Sequence, residues 1–196
     1  EHGHDDHGHD DHAEATQDDG HNHDGVDPHA WLDPANAMLW TDLMAKTLAQ
    51  ADPGNADTYA ANAAKAQAAI AALDGELQSL LAPVQDRPFV VFHDAYGYFA
   101  DHYGLSVAGA IALGDATSPG AARLADLQAT MTDGRAVCIF PEAQHDPAMV
   151  QQMAEASGAR IGAALDPSGS TLDPGAGNYA ELLRNMAFAL NECLNQ

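Results

Sequence analysis

The sequence predicts an α/β fold: a parallel-sheet lobe with helices on both faces, preceded by a long linking helix and, before that, a disordered histidine-rich tract. Three observations predict it. Short apolar runs alternate with helical segments from residue 89 onward, and such alternation builds a mostly parallel sheet covered on both faces. An Ala-rich run of strong helix formers extends from about Ala56 to Leu81. Residues 1–25 hold almost nothing that gains by leaving water, so no packed core can include them.

The tract comes first. His2, His4, His7, His9, His12, His21 and His23 are seven of the chain's eleven histidines, mixed with nine acidic residues and no Lys or Arg. Imidazole and carboxylate both ligate divalent transition metals, and such composition reads as metal-binding. A purification tag rarely interleaves Asp and Gly so irregularly, and an acidic solvating linker has no need of seven histidines. The chain begins inside this tract without an initiator Met or signal peptide, which reads as a fragment or processed product.

Two Asp-Pro steps, Asp27-Pro28 and Asp33-Pro34, mark a turn-rich segment in which Asp27 and Asp33 serve as turn and cap residues. A helix follows to about Ala51 with Met38, Leu39, Leu43, Met44 and Leu48 on one face, and Asp52-Pro53-Gly54 breaks it. The next helix, about Ala56 to Leu81, has a thin apolar stripe and reads as a strut across a surface. Pro83 to Pro88 is a breaker. The lobe then runs as strand Phe89–Phe92, helix Ala95–Tyr103, strand Leu105–Leu113, a helix opened by Ser118 as cap and Pro119 and ending near Met131, strand Ala136–Phe140, helix Asp146–Ala156, strand Ala159–Leu165, and helix Asn178–Leu194. Met149 and Met153 sit at helical spacing as core residues. The implied units are the tract (1–25), a lead-in (26–53), the linking helix (54–83) and the α/β lobe (84–196).

Composition excludes some partners. The net charge of −22 repels nucleic acid and anionic lipid, and no apolar run is long enough to span a bilayer. Cys138 and Cys193 read equally as buried thiols or as one disulfide in an oxidising compartment. Ligands of parallel sheets bind beyond the carboxyl ends of the strands. Those exits carry His93-Asp94, Gly114-Asp115, Glu142 and Asp166, a pattern of either a metal site or a solvated rim. His102 reads as a surface residue. His145 reads as a loop residue near the rim with a smaller chance of touching metal, and Tyr96, Tyr98 and Phe99 as lobe packing.

The tract, His29 before Trp31-Leu32, the run Phe92-His93-Asp94-Ala95-Tyr96-Gly97-Tyr98-Phe99, Phe140-Pro141-Glu142-Ala143-Gln144 and Leu165-Asp166-Pro167-Ser168-Gly169 together resemble the zinc-capturing solute-binding proteins of ABC-type zinc importers, the ZnuA type. The resemblance covers essentially the whole chain. It implies two α/β lobes joined by a rigid helix, with zinc held between them by histidines and a water or carboxylate. It carries His29 and His93 over as ligands, and Asp166 as a cleft aspartate that is a direct ligand in manganese-binding relatives. Those relatives have Glu in place of His93, so His93 favours zinc, which imidazole suits. Glu142 is expected to orient a ligand, and Cys138 and Cys193 to form a disulfide between a strand and the last helix.

The family's first histidine lies upstream of the tract. The expectation is therefore a chain lacking most of one lobe and one ligand, with residues 26–53 as the end of that lobe. The apolar face of the 35–51 helix is then expected to be partly exposed. The function expected is zinc capture in the periplasm and delivery to a membrane ABC permease by a monomeric, non-enzymatic protein, the tract acting as accessory collector. A manganese-binding relative of the same family is the alternative. A zinc hydrolase, with Glu142 or Asp166 as base, lacks H-E-x-x-H and G-x-S-x-G. An intracellular metal store using only the tract would keep both thiols reduced and leave His93 without a role.

Overall fold

The computed structural model describes residues 27–113 and 119–196. The tract histidines (His2, His4, His7, His9, His12, His21 and His23), the strand exit Gly114-Asp115 and the cap Ser118 lie outside the described residues. Helix α1 (Pro34–Ala51) starts where Asp33 Oδ1 accepts the Ala35 N–H at 2.7 Å and Pro34 takes the first helical position, where no N–H is needed. Helix α2 (Ala56–Leu81) buries only Leu73, Leu77 and Leu81, a stripe at four-residue spacing confined to its C-terminal part. Its other half runs beside α1, where Gln67 Nε2 donates to the Met38 carbonyl. Leu39, Leu43 and Met44 of α1 are 63%, 59% and 55% exposed, so its apolar face is largely uncovered, as expected.

Four parallel strands form the sheet: β1 (Phe89–His93), β2 (Val107–Ala112), β3 (Cys138–Phe140) and β4 (Arg160–Ile161), in the order β2-β1-β3-β4. Helices α3 (Gly97–Tyr103), α4 (Ala121–Thr132), α5 (Ala148–Ser157) and α6 (Asn178–Leu194) cover it. Alternate strand residues point to opposite faces. Phe89, Val91 and Phe140 therefore pack with Leu77 of α2, Phe99 of α3 and Leu183 and Met186 of α6. Val90 and Ile139 pack the other way, with Leu127 and Met131 of α4 and Val150 and Met153 of α5. A Cys138–Cys193 disulfide ties β3 to α6 across a Cα separation of 6.4 Å. No helix among the described residues is long and apolar enough to cross a membrane.

Several boundaries differ from the expected ones. Gly120 is extended (φ −73°, ψ 155°) and caps α4, so Pro119 lies outside that helix. Helix α3 starts at Gly97 because Ala95 and Tyr96 turn out of β1, with Ala95 N–H donating to the His93 carbonyl. β4 is two residues long because β3, its partner among the described residues, ends at Phe140 before Pro141, which has no N–H for a ladder. Gly162 then passes the Phe140 ring so closely that a Cβ there would stand 2.1 Å from Phe140 Cε1, and Leu165 rejoins as an isolated bridge to Glu142.

Candidate metal centre

Strand register assembles the buried half of the site. In β1 and β3, Val91 pairs with Phe140. Two residues beyond that pair are His93, the last residue of β1, and Glu142, just past the end of β3. Their side chains meet: His93 Nδ1 is 3.0 and 3.1 Å from the two Glu142 oxygens, and both residues are 5% exposed. Facing a carboxylate, Nδ1 carries the ring hydrogen and Nε2 the lone pair. Tyr96, at the turn out of β1, donates its hydroxyl to Glu142 Oε1 at 2.6 Å. Burial, together with the Glu142 charge, pushes the Tyr96 hydroxyl well above its ordinary pKa, which keeps it a donor. A buried carboxylate is tolerated because such donors replace water.

The other half is local. Asp27 Oδ1 accepts the His29 backbone N–H at 2.9 Å and the His29 Nδ1 hydrogen at 2.8 Å. The following turn is pinned to the lobe by Trp31, whose Nε1 donates to the Pro167 carbonyl at 2.8 Å and whose carbonyl accepts the Tyr179 hydroxyl at 3.0 Å. These anchors bring the His29 and His93 rings to 5.1 Å between centroids, edge to face. His29, Trp31, His93, Glu142, His145 and Asp166 line one pocket of about 140 Å³.

Asp166 reaches this pocket, and its oxygens are engaged. Oδ1 accepts from Ser170 N and from the Ser168 and Ser170 hydroxyls, and Oδ2 accepts from the Thr171 N–H and hydroxyl, both at 2.7 Å. Burial opposes its charge, but the Thr171 and Ser170 donors outweigh it and hold its pKa at about 2.

The pocket thus gathers His29, His93, Glu142 and Asp166 from four separate stretches of sequence. Among the described residues, the donor atoms of His93, Glu142 and His145 also lie within 4.8 Å of one another. His145 is thus closer to the chemistry than its reading as a rim residue, brought there by the turn that follows Glu142. Asp27, read as a turn residue, also orients His29; an aspartate two residues before a histidine was the available signal. Tyr96 is buried packing and also a hydrogen-bond donor to the site. His102 is not a free surface residue. Its Nδ1 lies 2.9 Å from Asp33 and its Nε2 2.8 Å from Asp74, bridging the start of α1 to α2.

An α/β lobe that gathers histidines and carboxylates beyond the carboxyl ends of parallel strands has the architecture of a solute-binding protein lobe. The family model described as zinc-uptake complex component A, periplasmic, matches residues 1–193, and the chain belongs to that family. The high-affinity zinc uptake system protein ZnuA of Paracoccus denitrificans (strain Pd 1222) is 58% identical over 170 residues, which cover 87% of this chain and 52% of that protein. The protein of the same name from Brucella suis biovar 1 (strain 1330) is 39% identical over 170 residues, 87% of this chain and 51% of that one. A crystal structure of a ZnuA deletion mutant with zinc bound superposes with a TM-score of 0.72 at 30% identity, covering 86% of this chain and 61% of that one. The chain spans about half the length of the curated relatives it matches.

Proposed function

We propose that this protein captures zinc outside the cytoplasmic membrane, in the periplasm, as a monomer, and delivers it to an ABC-type zinc permease. Zinc is cargo here; no bond is made or broken. His29 and His93 are the imidazole ligands, each binding through Nε2. Asp166 supplies carboxylate charge at the same pocket and an oxygen when an arriving ion displaces a serine donor from Oδ1. Glu142 orients His93. The tract histidines form a weaker accessory collector that raises local zinc, residues 26–53 end a first lobe, 54–83 link it, and 84–196 form the second lobe.

The observation that carries the reading is the pair of carboxylate-held histidines facing each other across one pocket. Donation of Nδ1–H to a carboxylate fixes the tautomer and raises the basicity of the nitrogen that binds metal. The Cys138–Cys193 bridge supports an oxidising compartment. The relatives named as zinc uptake proteins support zinc as the ion.

Competitive zinc titration of the protein and of His93→Ala tests it. The expected result is one tight site lost in the variant above weaker sites that survive. If only weak sites are found and His93→Ala leaves them unchanged, the cleft is not the zinc site.

A further inference from the structure

Asp166 meets the pocket with its carboxylate already occupied. Five hydrogen bonds end on it. A carboxylate has about four lone-pair sites, two on each oxygen. Oδ2 takes the Thr171 N–H and the Thr171 hydroxyl, both at 2.7 Å, and is full. Oδ1 takes the Ser170 N–H at 2.9 Å, the Ser170 hydroxyl at 3.1 Å and the Ser168 hydroxyl at 3.3 Å, more donors than it has sites. The Ser168 contact is the longest of the set, and well beyond the usual O–H···O distance of about 2.7–2.8 Å. That hydroxyl also accepts from Gln144 Nε2 at 2.6 Å. The donors on the two oxygens face different spaces. Ser168 lines the metal pocket with His29 and His93. Thr171 lines a separate cavity of about 260 Å³ with Leu182 and Met186 of α6. Gly169 turns the loop between them at φ +70°, where a Cβ would stand 3.2 Å from Leu182 Cδ1.

We propose that the 166–171 loop makes Asp166 a one-oxygen ligand, and that Thr171, by keeping Oδ2 occupied, widens the preference of the cleft for zinc over manganese. An arriving ion displaces Ser168, the weakest donor, from Oδ1, while both Thr171 donors stay on Oδ2. His29, His93 and one Asp166 oxygen then leave one position for water, the four-coordinate arrangement that zinc takes. Manganese suits octahedral surroundings built from carboxylate and water oxygens. Holding back Oδ2 denies it a second carboxylate oxygen. Sites of nitrogen and oxygen donors already bind zinc more tightly than manganese, so Thr171 adds to that margin and does not create it. This inference rests on the cleft being the zinc site.

The test uses the protein with its seven tract histidines changed to asparagine, so that the first equivalent of metal reports the cleft. Zinc and manganese Kd are measured by competition with a chromophoric chelator for this parent, Thr171→Val, Thr171→Ser and His93→Ala. Thr171→Val removes the hydroxyl donor and keeps the side chain's shape. The ratio of manganese Kd to zinc Kd should fall by about 10-fold, the lower end expected for the partner of a metal ligand. Thr171→Ser keeps the hydroxyl and should keep the parent's ratio. An unchanged ratio in Thr171→Val, with zinc still lost in His93→Ala, leaves the cleft reading standing and overturns the proposal. A matching fall in Thr171→Ser assigns the effect to the missing methyl and overturns it as well. If His93→Ala binds zinc as the parent does, the cleft reading itself fails. Hydrogen exchange of the Thr171 amide in the parent gives a second measurement that needs no change in the loop. Its protection should persist with one equivalent of zinc bound; loss of protection means that Oδ2 is released to the ion, and overturns the proposal.

Discussion

The two histidine–carboxylate pairs at the pocket make the same contact, a ring Nδ1 against a carboxylate, by different structural means. His93–Glu142 joins residues 49 apart, and its side chains are 6% and 3% exposed. His29–Asp27 joins residues two apart, with side chains 13% and 16% exposed. The first is held by the register of two central strands and buried on a packed face. The second is held by a turn that Trp31 fastens to the lobe, next to a helix whose apolar face is largely uncovered. One histidine is fixed by the sheet and the other by a short tether. Buried hydrogen bonds in low dielectric are stronger and costlier to break than partly exposed ones. The His93 side is therefore the rigid wall of the pocket, and the His29 side is the one with room to adjust.

The largest effect is expected from cutting the Cys138–Cys193 bridge, which anchors the strand leading to Glu142. Cys138→Ser with Cys193→Ser should lower unfolding stability by about 4 kcal/mol in the chain-entropy account, read by denaturant titration. It should loosen the Glu142 side before the Asp27 side, which hydrogen exchange at the two segments would resolve. Equal loosening of both would undo the contrast drawn above.

Removing the orienting carboxylates is next. Glu142→Gln should weaken zinc binding by about 100-fold and Asp27→Asn by nearer about 10-fold, the upper and lower ends expected for partners of a ligating histidine. Competition titrations with a chromophoric chelator measure both. A reversed order would mean that the tethered histidine, not the sheet-borne one, dominates the site.

The smallest effect concerns acid. Asp166 has its pKa lowered to about 2 by the donors of its loop. A depressed carboxylate pKa contributes stability that is present above the unfolded value, about 3.9, and is lost as pH falls through the folded one. The loop at 166–171 should therefore stay ordered at neutral pH and loosen only between about pH 4 and pH 2. Thr171→Val should move the Asp166 carboxyl 13C titration upward. A carboxyl titrating at its ordinary value in the unaltered protein would contradict this.

Much of this contrast was readable from residues. The helix from Ala56 to Leu81 and the last helix, Asn178–Leu194, have the bounds that their periodicity and breakers predicted. His93 stood out because a histidine directly after an apolar strand sits at a sheet's binding edge. Its partner Glu142 was legible as a strand exit, but that the two would touch depends on the pairing of Val91 with Phe140, a register no local pattern specifies. β4 was read as seven residues long because its apolar character outlasts its partner strand. The partners of His102 were not legible either, because Asp33, at the start of α1, and Asp74, in α2, meet it only in the folded chain.

The central claim is that one zinc ion lies between the His29 and His93 rings. A crystal of the protein grown with one equivalent of zinc, measured on both sides of the zinc absorption edge, tests it directly. The account predicts a single strong anomalous peak within about 2.0–2.1 Å of both Nε2 atoms. A strong peak elsewhere, with neither ring in contact with it, would contradict it.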